Sequence, residues 1–418
     1  MEKHVILSRL ADIFGMVLCV IGASMNAAES PVRPGDHVAF VGNTFADQLR
    51  SHGYLETLLL QRSAGNPVSI RNLGWAGDTL SARDRPTNFP TEASTLEAHK
   101  ADVIIACFGM GESFAGESGL AEFKNQLNAF ITSHRARKYN GKSAVRLVLV
   151  SPIAYENLGA RTPRWQERNR DIAAYTQLMN ETAANVGVPF VDLYGPTAEL
   201  MKGKNTPKLT DNGINLNDYG YWCVSRALAD ALLPGSKPWV LSVDAKSGKS
   251  TGHGARISQA KFTTTAMAFT VQELVWPSLA APGKGQVHPQ LKRNLDQLSI
   301  KNLKPGNYRL VVDGKPVATA SHIQWAAGLG LHSTPAHADL ESYRKSIYDK
   351  NAHFVYSWKA LNQVHIVGER RKSPSGRALP AEVIEFNKLT NQKDKALGAG
   401  IRLKSRQWQL VPVTPLIP

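Results

Sequence analysis

Four short stretches hold the residues that could do chemistry: Gly42-Asn43-Thr44, Asn72-Leu73-Gly74-Trp75-Ala76-Gly77-Asp78, Gly109-Met110-Gly111-Glu112-Ser113, and the Thr210–Asn217 stretch containing Asp211, Asn212 and Asn215. The first says most. An apolar run, Val38–Val41, goes straight into the Gly-Asn-Thr turn, and a helical pattern follows from Phe45 to Gln61. A buried strand that breaks at a tight turn and feeds a helix presents its turn residue at the carboxyl edge of a sheet, where open α/β folds bind ligands. A hydroxyl held there, Thr44, is a candidate nucleophile, and it needs a base to take its proton. Glu112 could be that base if its carboxyl faces Thr44; the other reading is that Glu112 braces its own loop. The second half of the chain could instead lend one of His253, His322, His332, His337, His353 or His365.

The elements that must position these loops alternate. Strand-like runs at Val38–Val41, Val68–Leu73, Val103–Phe108, Val145–Val150 and Pro189–Leu193 are separated by helical patterns at Phe45–Gln61, Gly119–His134 and Trp165–Val186, and a last helix spans Leu216–Leu233. Strands separated by helices imply right-handed crossovers and a parallel sheet covered on both faces. Residues 31–235 are therefore expected to form a three-layer α/β domain. After Pro234 the pattern changes to β signals at Trp239–Val243, Phe262–Trp276 and Leu298–Ala320, with a tight Asp313-Gly314 hairpin turn in the last. A smaller β-rich module over 236–320 follows, then an appended amphipathic helix at Leu340–Leu361 in a mixed, basic extension, 321–418, whose residues 364–418 read as loop-rich.

The order and spacing of the four chemical stretches resemble the four sequence blocks of the SGNH/GDSL hydrolases, the GDSL-like lipases and acylhydrolases, over about residues 36–233. The matching layout is strand–turn–helix, then N-x-G-x-x-G, then a strand ending in G-x-x-E, then D-x-G-I-x-L-N before a final helix. The resemblance implies a flavodoxin-like sheet and acyl-ester hydrolysis without a cofactor or metal. It places Thr44 where the family has its nucleophilic serine and Gly77 where it has a backbone oxyanion donor. Gly111 stands at the position of an asparagine side-chain donor, Asn215 at the histidine base and Asn212 at the aspartate that orients it, with Asp211 one residue away. Asn43 and Asp78 flank the site. Threonine keeps the hydroxyl but adds a stiffening methyl. Glycine has no side-chain donor, and an asparagine cannot take up a proton at neutral pH. The expectation is a family member with a degenerate site: a hydrolase of acyl esters, with acetylated carbohydrate as the natural substrate class, or a non-catalytic protein that binds a glycan or ester ligand.

Charge and targeting signals bear on the partner. Of the formal +15, essentially all lies in residues 236–418, and the α/β region is nearly neutral. Lys3 and Arg9, an apolar run from Ile13 to Ala23, and small residues at Ala27 and Ala28 follow the order of a secretory signal peptide over 1–28. For an exported protein a basic half points to acidic cell-envelope polysaccharide ahead of nucleic acid. After cleavage Cys107 and Cys223 remain, enough for one disulfide or two buried thiols. Oligomeric state is left open.

Overall fold

In the computed structural model the described residues are 30–85, 89–203, 206–262, 266–283, 287–361 and 368–413. The expected signal peptide and His365 lie outside them.

The α/β domain is built on five parallel strands, β1 (His37–Gly42), β2 (Ser69–Asn72), β3 (Val103–Cys107), β4 (Arg146–Val150) and β5 (Phe190–Val191), in the order β2-β1-β3-β4-β5. Their side chains alternate between two cores. Val38, Phe40, Val103, Ile105, Val148 and Val150 face one; Ala39, Val41, Ile104, Ala106, Leu147 and Leu149 face the other. Burial on both faces explains why these strands read as unbroken apolar runs. The covering helices are α1 (Thr44–His52), α2 (Tyr54–Arg62), α3 (Glu92–His99), α4 (Leu120–Arg135), α5 (Trp165–Val186), α6 (Tyr194–Leu200) and α7 (Asp218–Leu232). The single helix expected over Phe45–Gln61 is two, because Gly53 takes φ +67, a left-handed value that ends α1. Cys107 and Cys223 are separate buried free thiols.

The rest of the chain departs from the expected division at 320. Strands β6 (Val240–Asp244), β7 (Ser250–His253), β8 (Ala255–Phe262), β9 (Met267–Glu273), β10 (Asp296–Lys301), β11 (Asn307–Val312) and β12 (Lys315–Ser321) lead to helix α8 (His322–Ala327) and strand β13 (Leu329–Leu331). Two long helices, α9 (Pro335–Trp358) and α10 (Pro374–Leu397), come next, and β14 (Ser405–Val413) ends the described chain. One sheet has the order β13-β10-β6-β7 and the other β12-β11-β14-β9-β8. They share one core, with Trp239, Leu241, Leu298 and Ile300 from the first sheet and Phe269, Leu310, Trp408 and Leu410 from the second. The Asp313-Gly314 turn has φ 47 and 75, the positive pair of a two-residue hairpin. β14 completes the sandwich from the far end of the sequence, between β11 and β9.

Helices α9 and α10 belong to neither sheet. They pack on the α/β domain: Leu340 and Ile347 join one of its cores, Phe354 and Trp358 the other. The buried Lys350 ammonium bonds the Glu56 carboxylate of α2 and the Ile70 carbonyl, at 3.1 Å. Asn351 donates to the other Glu56 oxygen at 3.0 Å, and Arg344 to the His52 carbonyl that closes α1. The cations of this stretch are thus partly internal anchors, and Phe354 and Trp358 are core.

Candidate functional site

The loops at the carboxyl edge of the sheet converge. Gly42 leaves β1 at φ +134, so close to β3 that a Cβ there would lie 2.2 Å from the Cys107 carbonyl oxygen. Only glycine permits that approach. Asn43 then caps α1, its side chain accepting from Phe45 N at 3.0 Å. Thr44 is the first residue of α1, half-buried, with its hydroxyl 3.3 Å from the Gly77 N–H that donates to it. Asn43 and Thr44 line a pocket of about 120 Å³ together with Gly77, Asp78, Gly111 and Asn215. Four sequence blocks therefore meet in one place.

The remaining candidates do not reach Thr44. Glu112 turns into its own loop, one carboxylate oxygen accepting from Gly109 N at 2.8 Å and the other from Leu80 N at 2.9 Å. Burial pushes its carboxyl up from the ordinary value, against these N–H groups and its own. It braces the two glycine loops. Asp78 is buried and held in two bonds to Arg85, at 3.0 and 2.6 Å, and Arg85 lies 4.3 Å over the Trp75 ring. Asn212 spends its side-chain oxygen on Ile214 N and Asn215 N, which shapes the last loop. Asp211 is exposed, and its carbonyl accepts from Arg161 at 3.1 Å. Among the described residues, no carboxylate or imidazole bonds the Thr44 hydroxyl. None of the described candidate histidines of the second half lines this pocket: His337 lies 3.2 Å from Asp296, His253 bonds the Pro238 carbonyl, His353 the Asp349 carbonyl, His322 accepts from Gly306 N, and His332 Nδ1 is buried without a hydrogen-bond partner among the described residues.

The sequence blocks omitted part of the wall. Ser151-Pro152-Ile153, the loop after β4, lines the same pocket with Phe108, Met110, Phe114 and Ile214. Its signal was its position after a strand in a parallel sheet, where the edge rule applies to each strand. Ser151 is no second nucleophile: it is buried, donates to the Pro152 carbonyl and accepts from Leu193 N and Tyr194 N. Exposed Phe114 stands at the rim with the Arg168 guanidinium 3.9 Å from its ring. Among the described residues no group of three His, Cys, Asp or Glu could hold a metal, and no helix is long and apolar enough to cross a membrane.

What remains is a small, largely apolar recess with a hydroxyl and a peptide N–H at its mouth. It can seat a short acyl group and hydrogen-bond its carbonyl oxygen. Its lining carboxylate, Asp78, is paired with Arg85, and among the described residues no carboxylate or imidazole hydrogen-bonds Thr44.

Comparison with known proteins bears on the fold. A model of the GDSL-like lipase/acylhydrolase family matches residues 35–223. BT4096, a gut microbial diltiazem-metabolizing enzyme, is 17% identical and superposes with a TM-score of 0.66 over 92% of this chain and 99% of its own. At that identity the likeness speaks for the fold, which extends through the sandwich and the helical pair. Axe2, an acetylxylan esterase from Geobacillus stearothermophilus, is also 17% identical, with a TM-score of 0.38 over 48% of this chain and 96% of its own. A search of curated proteins gave no match. Residues 35–223 are thus recognised as a GDSL-like lipase/acylhydrolase domain.

Proposed function

We propose that the Thr44 pocket binds a short acyl ester, of the acetylated-carbohydrate class, without base-assisted hydrolysis. One observation carries the reading: the hydrogen bond recorded for the Thr44 hydroxyl is to the Gly77 N–H, with no imidazole or carboxylate in bonding reach among the described residues. The size supports the acyl class, since about 120 Å³ is well below the roughly 300–1,000 Å³ of pockets for drug-sized ligands. In this reading the protein is exported and its basic half holds it to acidic cell-envelope polysaccharide. The order of charged, apolar and small residues over 1–28 and the excess of cations after 235 support that setting.

A second reading has one observation in its favour. Thr44 retains a hydroxyl beside a peptide donor, which is two of the parts that a rewired esterase needs. Short-chain aryl esters and acetylated xylooligosaccharides, offered to the full chain and to Thr44→Ala, separate the two. Saturable binding of the sugar ester with no turnover supports the binding protein. Turnover that disappears in Thr44→Ala overturns it in favour of the esterase.

A further inference from the structure

A space larger than the Thr44 pocket lies elsewhere on the α/β domain. A cavity of about 670 Å³ lies beyond the edge strand β2, between α3 on one side and α9 and α10 on the other. Protein interiors are packed to near-crystalline density, so a cleft of this size between packed elements is room that a small molecule can fill. Its volume falls in the range of small-molecule pockets, about 300–1,000 Å³.

The chemistry of the walls narrows the class of ligand. Phe354 and Trp358 are stacked, with centroids 5.8 Å apart, and form an apolar wall. Helix α10 turns Val383, Asn387, Asn391 and Lys395 toward the space, each four residues from the last and so on one face. The lining carboxylate, Asp394, is already neutralised: Arg71 lies 3.2 Å from it, Lys350 3.8 Å, and Ser69 donates to it. Arg71 is buried and also donates to the Asn391 side-chain oxygen at 2.8 Å. Two lining cations are left over, Lys100 at the end of α3 and Lys395 on α10, both exposed and neither in an ion pair among the described residues.

We propose that this cavity is a second binding site, for a small amphipathic organic anion. The apolar body lies against Phe354, Trp358 and Val383. The anionic head lies toward Lys100 and Lys395, and the Asn387 amide, on the same face, offers a hydrogen bond. The site is independent of the Thr44 pocket and of the reading given to it.

The test uses the full chain and 1-anilinonaphthalene-8-sulfonate, an amphipathic anion whose fluorescence rises on binding, with octanoate as unlabelled competitor. The expected result is one saturable site per chain, displaced by octanoate. Reversing both rim charges, Lys100→Glu with Lys395→Glu, weakens binding about 10-fold, on the scale of two exposed charge contacts. Asn387→Trp, also at an exposed position, fills the space and abolishes the site. Circular dichroism and urea midpoints establish that the variants fold, so that lost binding reports the site. Absence of saturable binding, or binding that ignores both changes, overturns the proposal. Equal affinity for the neutral analogue N-phenyl-1-naphthylamine, with no effect of the charge reversals, overturns the assignment of an anion.

Discussion

If the absent base is what separates this site from an esterase, supplying it should create turnover. The structure shows how to do so with little strain. Asn215 lines the pocket, and Asn212 uses one oxygen to accept from Ile214 N and Asn215 N. Asn212→Asp keeps both acceptor contacts and adds the carboxylate that orients an imidazole, and Asn215→His adds the imidazole. General-base catalysis contributes about 10²–10⁴-fold, so this pair is expected to raise hydrolysis of short-chain aryl esters by at least about 10². The second missing part is a side-chain donor. Gly111 has φ −64 and ψ −45, values that any residue adopts, but a Cβ there would meet the Thr79 methyl at 2.9 Å. Thr79→Ser removes that methyl and keeps the hydroxyl that accepts from Ala82 N, so Gly111→Asn is best built with it. One oxyanion donor is worth about 10²–10³ in turnover. The assay is initial rate against pH. The rebuilt protein should gain activity as pH rises through about 6.5, where an imidazole loses its proton, and the parent should show no such step. A folded rebuilt protein no faster than the parent refutes the reasoning, as does a parent that already shows the step and loses it in Thr44→Ala.

Other consequences concern stability. Lys350→Met leaves the Glu56 carboxylate buried and unpaired, which costs about 3–5 kcal/mol in urea unfolding; adding Glu56→Leu should recover most of it. Glu273, buried near Asp296, has its carboxyl pushed up to about 7, first by desolvation and then by that neighbouring charge. A carboxyl raised in the folded state adds stability that is full below about pH 4.5 and lost as pH rises through 7. The parent should therefore lose up to about 3 kcal/mol more than Glu273→Gln between pH 5 and 8, read from unfolding curves at each pH. Ending the chain after residue 404 removes β14 from between β11 and β9, and should leave the sandwich unfolded by near-ultraviolet circular dichroism. Cys107 and Cys223, buried and unpaired, should react with a thiol reagent only in denaturant.

The α/β domain was legible in the sequence because its strands are buried on both faces, so each appears as an apolar run, and because its chemistry sits in the turns that follow those runs. Val38–Val41 into Gly42-Asn43-Thr44 is the plainest case. The positions of Thr44, Gly77, Gly111 and Asn215 around one pocket followed from that layout. Asn212 and Glu112 were placed on the right loops, but the direction of a side chain is not a property of local sequence. Whether Glu112 faces Thr44 or two backbone N–H groups depends on where the Leu80 loop comes to rest. The second half was harder to read for a related reason. Helix α10 has a mixed face and carries Pro380, and β14 alternates weakly, so neither shows its partner. What assigns β14 to the centre of a sheet is pairing with strands far back in the chain, and what assigns α9 to the α/β domain is the buried contact of Lys350 with Glu56. Local pattern determined which elements form and where the chemistry sits. Long-range packing and buried charge pairing decided what each side chain faces, and hence that the Thr44 hydroxyl meets a peptide N–H and, among the described residues, bonds no carboxylate or imidazole.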